Sequence, residues 1–151
     1  MPPLILRKAG TGFCMIQERI EQKKARILEY VGLIKSLRED CSERFDTDPV
    51  YRGALLHYLY LTADSCIALA ILTIKLKALR PPQTYAEAFD ILSENRILAP
   101  EFAHSFARIA GFRNFLAHDY ESVDGRQICN YLFSGIEEVE EYISRIEQAV
   151  R

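Results

Sequence analysis

The chain has 151 residues, 49% of them hydrophobic and 26% charged, which excludes a disordered or low-complexity protein and suits one domain with one core. Its formal net charge is -2, so no global basic field exists, and any contact with a polyanion must be local or assisted by a partner. The four cysteines, Cys14, Cys41, Cys66 and Cys129, include no Cys-x-x-Cys pair and have no His at metal-ligand spacing, so reduced thiols, no structural metal and a cytoplasmic home are expected.

Residues 1–12 carry Pro, Gly and Thr and read as an irregular start, without the long apolar region of a signal peptide. A first helix is expected from near Phe13, with a stripe of Ile16, Ile20, Ile27, Val31, Ile34 and Cys41 at close to helical period. Between these lie Glu18, Arg19, Glu21, Lys23, Lys24, Arg26 and Glu29. A charge run of this kind reads first as a solvated face, and second as a basic groove lining for RNA.

Asp46-Thr47-Asp48-Pro49 is a break and a restart, with Asp48 suited to capping and Pro49 to the first helical position. The second helix is expected to run to Leu79 and is apolar nearly all round from Ala54, which places it at the centre of a bundle. Its most apolar window, Ser65 to Ile74, is about half the length a bilayer requires and is bounded by Asp64 and Lys75, so no membrane span is expected. Asp64 has two readings on such a helix. It is a partly exposed or paired carboxylate, or it is an acid that positions Arg113 or His118. His57 reads as structural.

Arg80-Pro81-Pro82-Gln83 ends that helix, and Thr84 with Glu87 has the form of a capping box, opening a short third helix with Tyr85, Ala88, Phe89 and Leu92 as its apolar residues. After a loop over 95–99, Pro100 opens a fourth helix. That helix carries a small stripe of Ala103, Ala107, Ala110, Asn114 and Ala117, and a bulky one of Phe102, Phe106, Ile109 and Leu116. The small stripe admits a close neighbour, either the second helix or a second copy of the chain. A last helix runs from about Arg126 to Val150 on Ile128, Leu132, Ile136, Val139, Ile143, Ile146 and Val150. The fold class is all-α, an antiparallel helical bundle of four long helices and one short helix, forming a single domain over 1–151.

The segment from Gly111 to Tyr120, Gly-Phe-Arg-Asn-Phe-Leu-Ala-His-Asp-Tyr, differs from the rest in gathering Arg113, Asn114, His118, Asp119 and Tyr120 where a helix is expected to end. Arginine is a fixed cation with a planar fork of donors that suits phosphate, and histidine is the side chain best able to move protons near neutrality. Asn114 and His118 are four apart and share a helical face, whereas Arg113 and His118 are five apart and diverge by about 140° on a regular helix. Either His118 lies on an irregular turn past the helix end, or the working site combines groups from two chains. The structural readings are an ion pair of Arg113 with Glu101, Asp119 or the last helix, and a His118 favoured by the helix C-terminus.

Together with Pro81-Pro-Gln-Thr-Tyr-Ala-Glu-Ala-Phe, this segment resembles the HEPN superfamily, and more narrowly the HepT-type toxins of prokaryotic HEPN/MNT toxin–antitoxin systems. The shared pattern is Arg, four residues, His, any residue, Tyr, met here by Arg113, His118 and Tyr120. The resemblance spans roughly Val50 to the C-terminus, and the first helix matches only in character. It implies a homodimer that brings two Arg/His motifs into one cleft and acts as a metal-independent endoribonuclease, leaving a 2′,3′-cyclic phosphate. Arg113 would stabilise charge on phosphate oxygens, His118 would act as general base or acid, and Asn114 would orient either one. The resemblance also implies a nucleotidyltransferase antitoxin that transfers AMP to Tyr120, so that ATP is used by the partner and this chain needs no cofactor. Similar proteins often carry a further acid one turn after Asp64, where this chain has Ala68. The alternative is a non-catalytic helical partner that regulates a nucleotidyltransferase.

Overall fold

A computed structural model describes residues 4–151, with side chains from residue 10 onward. Helix α1 (Leu4–Leu37) passes through a 3-10 turn at Arg38–Asp40 into the single turn α2 (Cys41–Arg44). Then follow α3 (Pro49–Leu76), α4 (Tyr85–Glu94), α5 (Pro100–Phe106), α6 (Arg108–His118), a 3-10 turn at Tyr120–Ser122, and α7 (Gly125–Val150). Helix α3 is central: it packs along α1 on one side and α6 on another, with α4 and α7 also against it.

The α3 start follows from local chemistry. The Asp48 carboxylate accepts from the Val50 and Tyr51 amides at 3.1 Å, Pro49 occupies the first turn, and Arg44 holds the same carboxylate at 2.8 Å. Helix α4 opens on Thr84, whose hydroxyl accepts from the Glu87 amide at 3.1 Å, while the Glu87 carboxylate reaches back to the Gln83 amide at 2.6 Å.

Four boundaries differ from the sequence reading. The irregular start expected over residues 1–12 is helical from Leu4, and residues 1–3 lie outside the described residues. Gly10 and Gly12 weaken a helix interior by about 1 kcal/mol each without breaking it. Helix α1 tightens at Arg38 rather than running regularly through Cys41. Helix α3 stops at Leu76, where Lys77 caps it and Ala78 takes a φ of 53°. There the Leu79 amide donates to the Ile74 carbonyl at 3.0 Å and the Ala78 amide to the Lys75 carbonyl at 3.1 Å, the six-to-one and five-to-two bonds of a Schellman ending. The expected fourth helix is two, α5 and α6, parted at Ala107, where the Ala110 amide bonds the Ala107 carbonyl at 3.1 Å in the tighter i to i+3 manner.

One apolar cluster fills the interior, from Ile20, Ile27 and Ile34 of α1 through the buried face of α3 to Leu132, Ile136 and Ile146 of α7. Tyr142 is fully buried, donates its hydroxyl to the Cys66 carbonyl at 2.9 Å, and stacks on Phe106 at 4.5 Å between ring centres. Burial also drives the Cys66 thiol far above its ordinary range, so it behaves as a small core residue. In the charge run of α1, Lys24 is an exception to the solvated face. It is only 6% exposed and pairs with Glu21 at 2.9 Å and Glu147 at 3.7 Å. Among the described residues α3 is the one helix long and apolar enough to cross a bilayer, and 61% of that window is buried within the bundle.

The cysteine reading is corrected. Cys41 and Cys129 form a disulfide, with Cα atoms 5.6 Å apart at a sequence separation of 88. Local spacing could not reveal it, because the pairing arises from α2 docking on α7. Cys14 is free and exposed, and Cys66 is free and buried.

Candidate active site

Helix α6 packs against α3 and α4, with Ile109, Ala110 and Leu116 buried. This orientation leaves Arg113 half-buried at the seam with α3, and Asn114, Ala117 and His118 exposed. The Ala103 and Ala110 part of the small stripe is therefore spent on the protein's own core, and only its end at Asn114 and Ala117 stays open.

Arg113 Nε donates to Asp64 Oδ1 at 3.1 Å, and Nη1 donates to Asn114 Oδ1 at 3.2 Å. Its guanidinium carbon lies 5.3 Å from the Tyr60 ring centre and 5.5 Å from that of Tyr85. The Asp64 hydrogen bond is the main reason the guanidinium is held above its already high ordinary value, with the two tyrosines adding to it. The partner of Arg113 is thus Asp64, not Glu101, Asp119 or the last helix. Asp64 itself sits on the half-exposed side of α3, with 47% of its side chain accessible against 21% for Arg113. Among the described residues the Nη2 end of the fork has no hydrogen bond, so part of a pre-positioned cation faces outward.

The two rings on Arg113 were not legible as site residues. Tyr60 is one turn before Asp64 on α3, a spacing that offered a signal. Tyr85 is the first residue of α4, brought across by the capping box at Thr84, and carries no motif of its own.

His118 is the last residue of α6, and Asp119 follows as its cap, so His118 does not lie on an irregular turn past the helix end. It is exposed, and among the described residues it has no hydrogen bond, ion pair or ring contact. On the regular α6 it leaves the axis about 140° from Arg113. Among the described residues no hydrogen bond or ring contact joins Arg113 and His118 within one chain.

Tyr120 opens the 3-10 turn after α6 and is 42% exposed. That turn is tied back to α3 by Arg52, which donates to the Glu121 carbonyl at 3.4 Å. Tyr120 lines an open hollow of about 470 Å³ with Gly53, His57, Tyr60, Leu116 and Ala117. A Cβ at Gly53 would stand 3.5 Å from the Tyr120 hydroxyl, an ordinary contact, so this glycine leaves room around the phenol. His57, read from sequence as structural, is exposed and belongs to this hollow, its ring tilted against Tyr58 at 5.8 Å. Among the described residues no three His, Cys, Asp or Glu side chains converge to hold a metal ion.

A family model described as ribonuclease HepT-like matches residues 27–146. The mRNA nuclease HepT of Shewanella oneidensis is 23% identical over 128 residues, covering 85% of this chain and 96% of that protein. The structure of tri-AMPylated Shewanella oneidensis HEPN toxin in complex with MNT antitoxin matches with a TM-score of 0.78 at 22% identity, over 85% of this chain and 96% of that one. The cytosolic protein YutE of Bacillus subtilis matches with a TM-score of 0.63 at 16% identity, over 82% of this chain and 87% of that one. These two structural likenesses bear on the fold, which they share with the bundle described above.

Proposed function

The chain belongs to the ribonuclease HepT-like family, and from that premise we propose that it is the toxin of a toxin–antitoxin pair, an endoribonuclease whose working site forms between two copies. The observation that carries this reading is the division of labour on α6. Arg113 is anchored by Asp64 and two rings with one end of its fork open, while His118, five residues on, is unpartnered and points away. A two-fold axis beside α6 would set the imidazole of one copy near the guanidinium of the other.

In the proposed reaction a ribose 2′-oxygen attacks the adjacent phosphorus, forming a P–O bond, as one His118 takes the 2′-hydroxyl proton. The P–O5′ bond breaks, and the departing 5′-oxygen receives a proton from the second His118. The products are a 2′,3′-cyclic phosphate and a free 5′-hydroxyl. Arg113 carries the charge that builds on the non-bridging oxygens, Asp64 fixes its direction, and Asn114 orients the fork through its side-chain oxygen. No metal takes part in this scheme.

The partner in this reading is an MNT-type nucleotidyltransferase antitoxin, and the setting is the cytoplasm, where the Cys41–Cys129 bond has to persist against a reducing pool. The Tyr120 oxygen attacks the α-phosphorus of ATP held by that partner, pyrophosphate leaves, and the phenol proton passes to solvent or to a base of the partner. Support comes from the exposed phenol and the room Gly53 leaves beside it.

The test is RNA cleavage in the presence of a chelator by the wild type, Arg113→Ala and His118→Ala. Each substitution is expected to lower kcat by on the order of 10²- to 10³-fold. Activity that persists in both variants removes the catalytic assignment. For Tyr120, intact mass after incubation with the nucleotidyltransferase and ATP should rise by AMP, and Tyr120→Phe should abolish the gain. An addition mapped to another residue overturns the assignment of Tyr120.

A further inference from the structure

The open side of α3 does not end at Arg113. Tyr60, Asp64, Ala68, Ile71 and Lys75 recur every three or four residues, share one face, and are all half-buried or exposed. Beyond Asp64 this stripe runs into a groove of about 360 Å³ between α3 and α1. Its walls carry Arg19, Lys23 and Arg26 from α1 and Lys75 from α3, over a floor that includes Ala68 and Ile71, and no carboxylate lines it.

This is more than a solvated face. The chain as a whole is acidic, with a formal net charge of -2, yet four cations converge on one groove. Among the described residues Arg19, Lys23 and Lys75 form no ion pair, and Arg26 meets only Glu29, at 3.3 Å between well-exposed side chains. The neighbouring Lys24 points elsewhere and is already satisfied by Glu21 and Glu147. Arg19, Lys23 and Arg26 stand at i, i+4 and i+7, so they rise by about 6 and 4.5 Å along one face of α1 and form a row of cations along the groove. A volume of about 360 Å³ is on the scale of one strand's backbone rather than of a duplex.

We propose that this groove binds the backbone phosphates of single-stranded RNA, as the continuation of the strand whose scissile phosphate lies at Arg113. The inference rests on the ribonuclease reading above. Asp64 and Lys75 are eleven residues apart on α3, about 16 Å along the axis, which spans a few nucleotides. A charged groove that tracks the backbone gives affinity without base preference, so the groove sets the length and single-strandedness of the substrate rather than its sequence.

The test uses a fluorescent single-stranded RNA with a 2′-O-methyl backbone, which cannot be cleaved, titrated by anisotropy at several salt concentrations. Lys23→Glu/Lys75→Glu is expected to raise Kd about tenfold or more and to flatten the slope of log K against log salt by about 1.4, two phosphate contacts on a single strand. Lys23→Gln/Lys75→Gln should show the same loss at smaller size, and keeps the measurement decisive if the charge reversal fails to fold. Unchanged affinity and slope in variants of a wild type that binds and cleaves RNA overturn the groove and leave the ribonuclease reading standing. A wild type that binds through these lysines yet cuts nothing supports the groove and removes the nuclease. Variants that bind RNA normally but release the nucleotidyltransferase would overturn the proposal in favour of a protein contact.

Discussion

Asp64 is the residue at which the site model is most exposed to refutation. If its function is to aim the Arg113 guanidinium, its removal should change catalysis far more than stability. The pair is half-open to solvent, at 21% and 47% side-chain accessibility, so screening limits its contribution to folding to roughly 0–1 kcal/mol. In a domain of this size that corresponds to a fall in Tm of about 4 °C at most. The catalytic effect follows a different rule, because displacing a positioned group by about 1 Å can cost 10²-fold in rate. Asp64→Ala is therefore expected to lower kcat about 10²-fold, and Asp64→Asn, which keeps an acceptor at Oδ1, about tenfold. The decisive assay is a double-mutant cycle with Arg113→Ala, since groups in contact are not additive. If Asp64 acts only through Arg113, the double variant should cleave at the rate of Arg113→Ala alone. Losses that multiply, or an Asp64→Ala within twofold of wild type, would refute the positioning role.

Three further outcomes concern the frame. Ala78 at a φ of 53° and Arg96 at 60° occupy the left-handed region that glycine enters without strain, so Ala78→Gly and Arg96→Gly should each stabilise by about 1 kcal/mol, raising Tm by a few degrees in thermal melts. A fall in Tm in both would show that those helix ends are built differently. The Cys41–Cys129 bond should appear as a loss of two hydrogens in the intact mass of protein handled in air, and closing a loop of 88 residues predicts that Cys129→Ser or reductant removes about 4–5 kcal/mol. Equal melting of the bonded and reduced protein would exclude that contribution. Arg80, bonded to Glu87 at 2.6 Å, holds the Glu87 carboxyl below its ordinary 4.5, with the Gln83 amide adding to it. A depressed folded pKa stabilises above the unfolded value and is lost as pH falls through the folded one, so stability should decline below about pH 4.5, and Glu87→Gln should flatten that decline. An identical pH profile in the variant would rule the pair out.

The elements written in local chemistry were the legible ones. Asp48 before Pro49, and Thr84 with Glu87, announce two helix starts because a cap and its amide lie within a few residues. The centrality of α3 follows from its nearly uniform apolar character. The α4 end was legible as a loop from Asn95, but the α3 end was not, because Ala78 is not the glycine that its conformation usually selects, and the surrounding packing overrides the preference. The break at Ala107 has neither Pro nor Gly at it and falls between residues that a helix tolerates, so nothing local marks it. Within the site, Arg113, Asn114, His118 and Tyr120 stand out by spacing, whereas Tyr85 and the Cys41–Cys129 bond depend on segments far apart in sequence.

Tyr60 gives the proposed regulation a physical route. One face of its ring lies against the Arg113 guanidinium, and the same residue lines the hollow that holds Tyr120, so the cation proposed to read phosphate and the phenol proposed to accept AMP share a wall. An adenylyl group on the Tyr120 oxygen would carry its phosphate charge to the edge of a cation whose Nη2 end is still open. The modified tyrosine would then offer Arg113 an anion at very high local concentration, against which a substrate phosphate arriving from solution competes poorly. Silencing by this route would need no change of fold, and it requires the hollow to stay roomy. Gly53→Leu would fill the space beside the Tyr120 hydroxyl, and should slow adenylylation while leaving Arg113 and its partners in place. If adenylylation of Gly53→Leu proceeds at the wild-type rate, the adduct does not occupy this hollow and the competition argument fails.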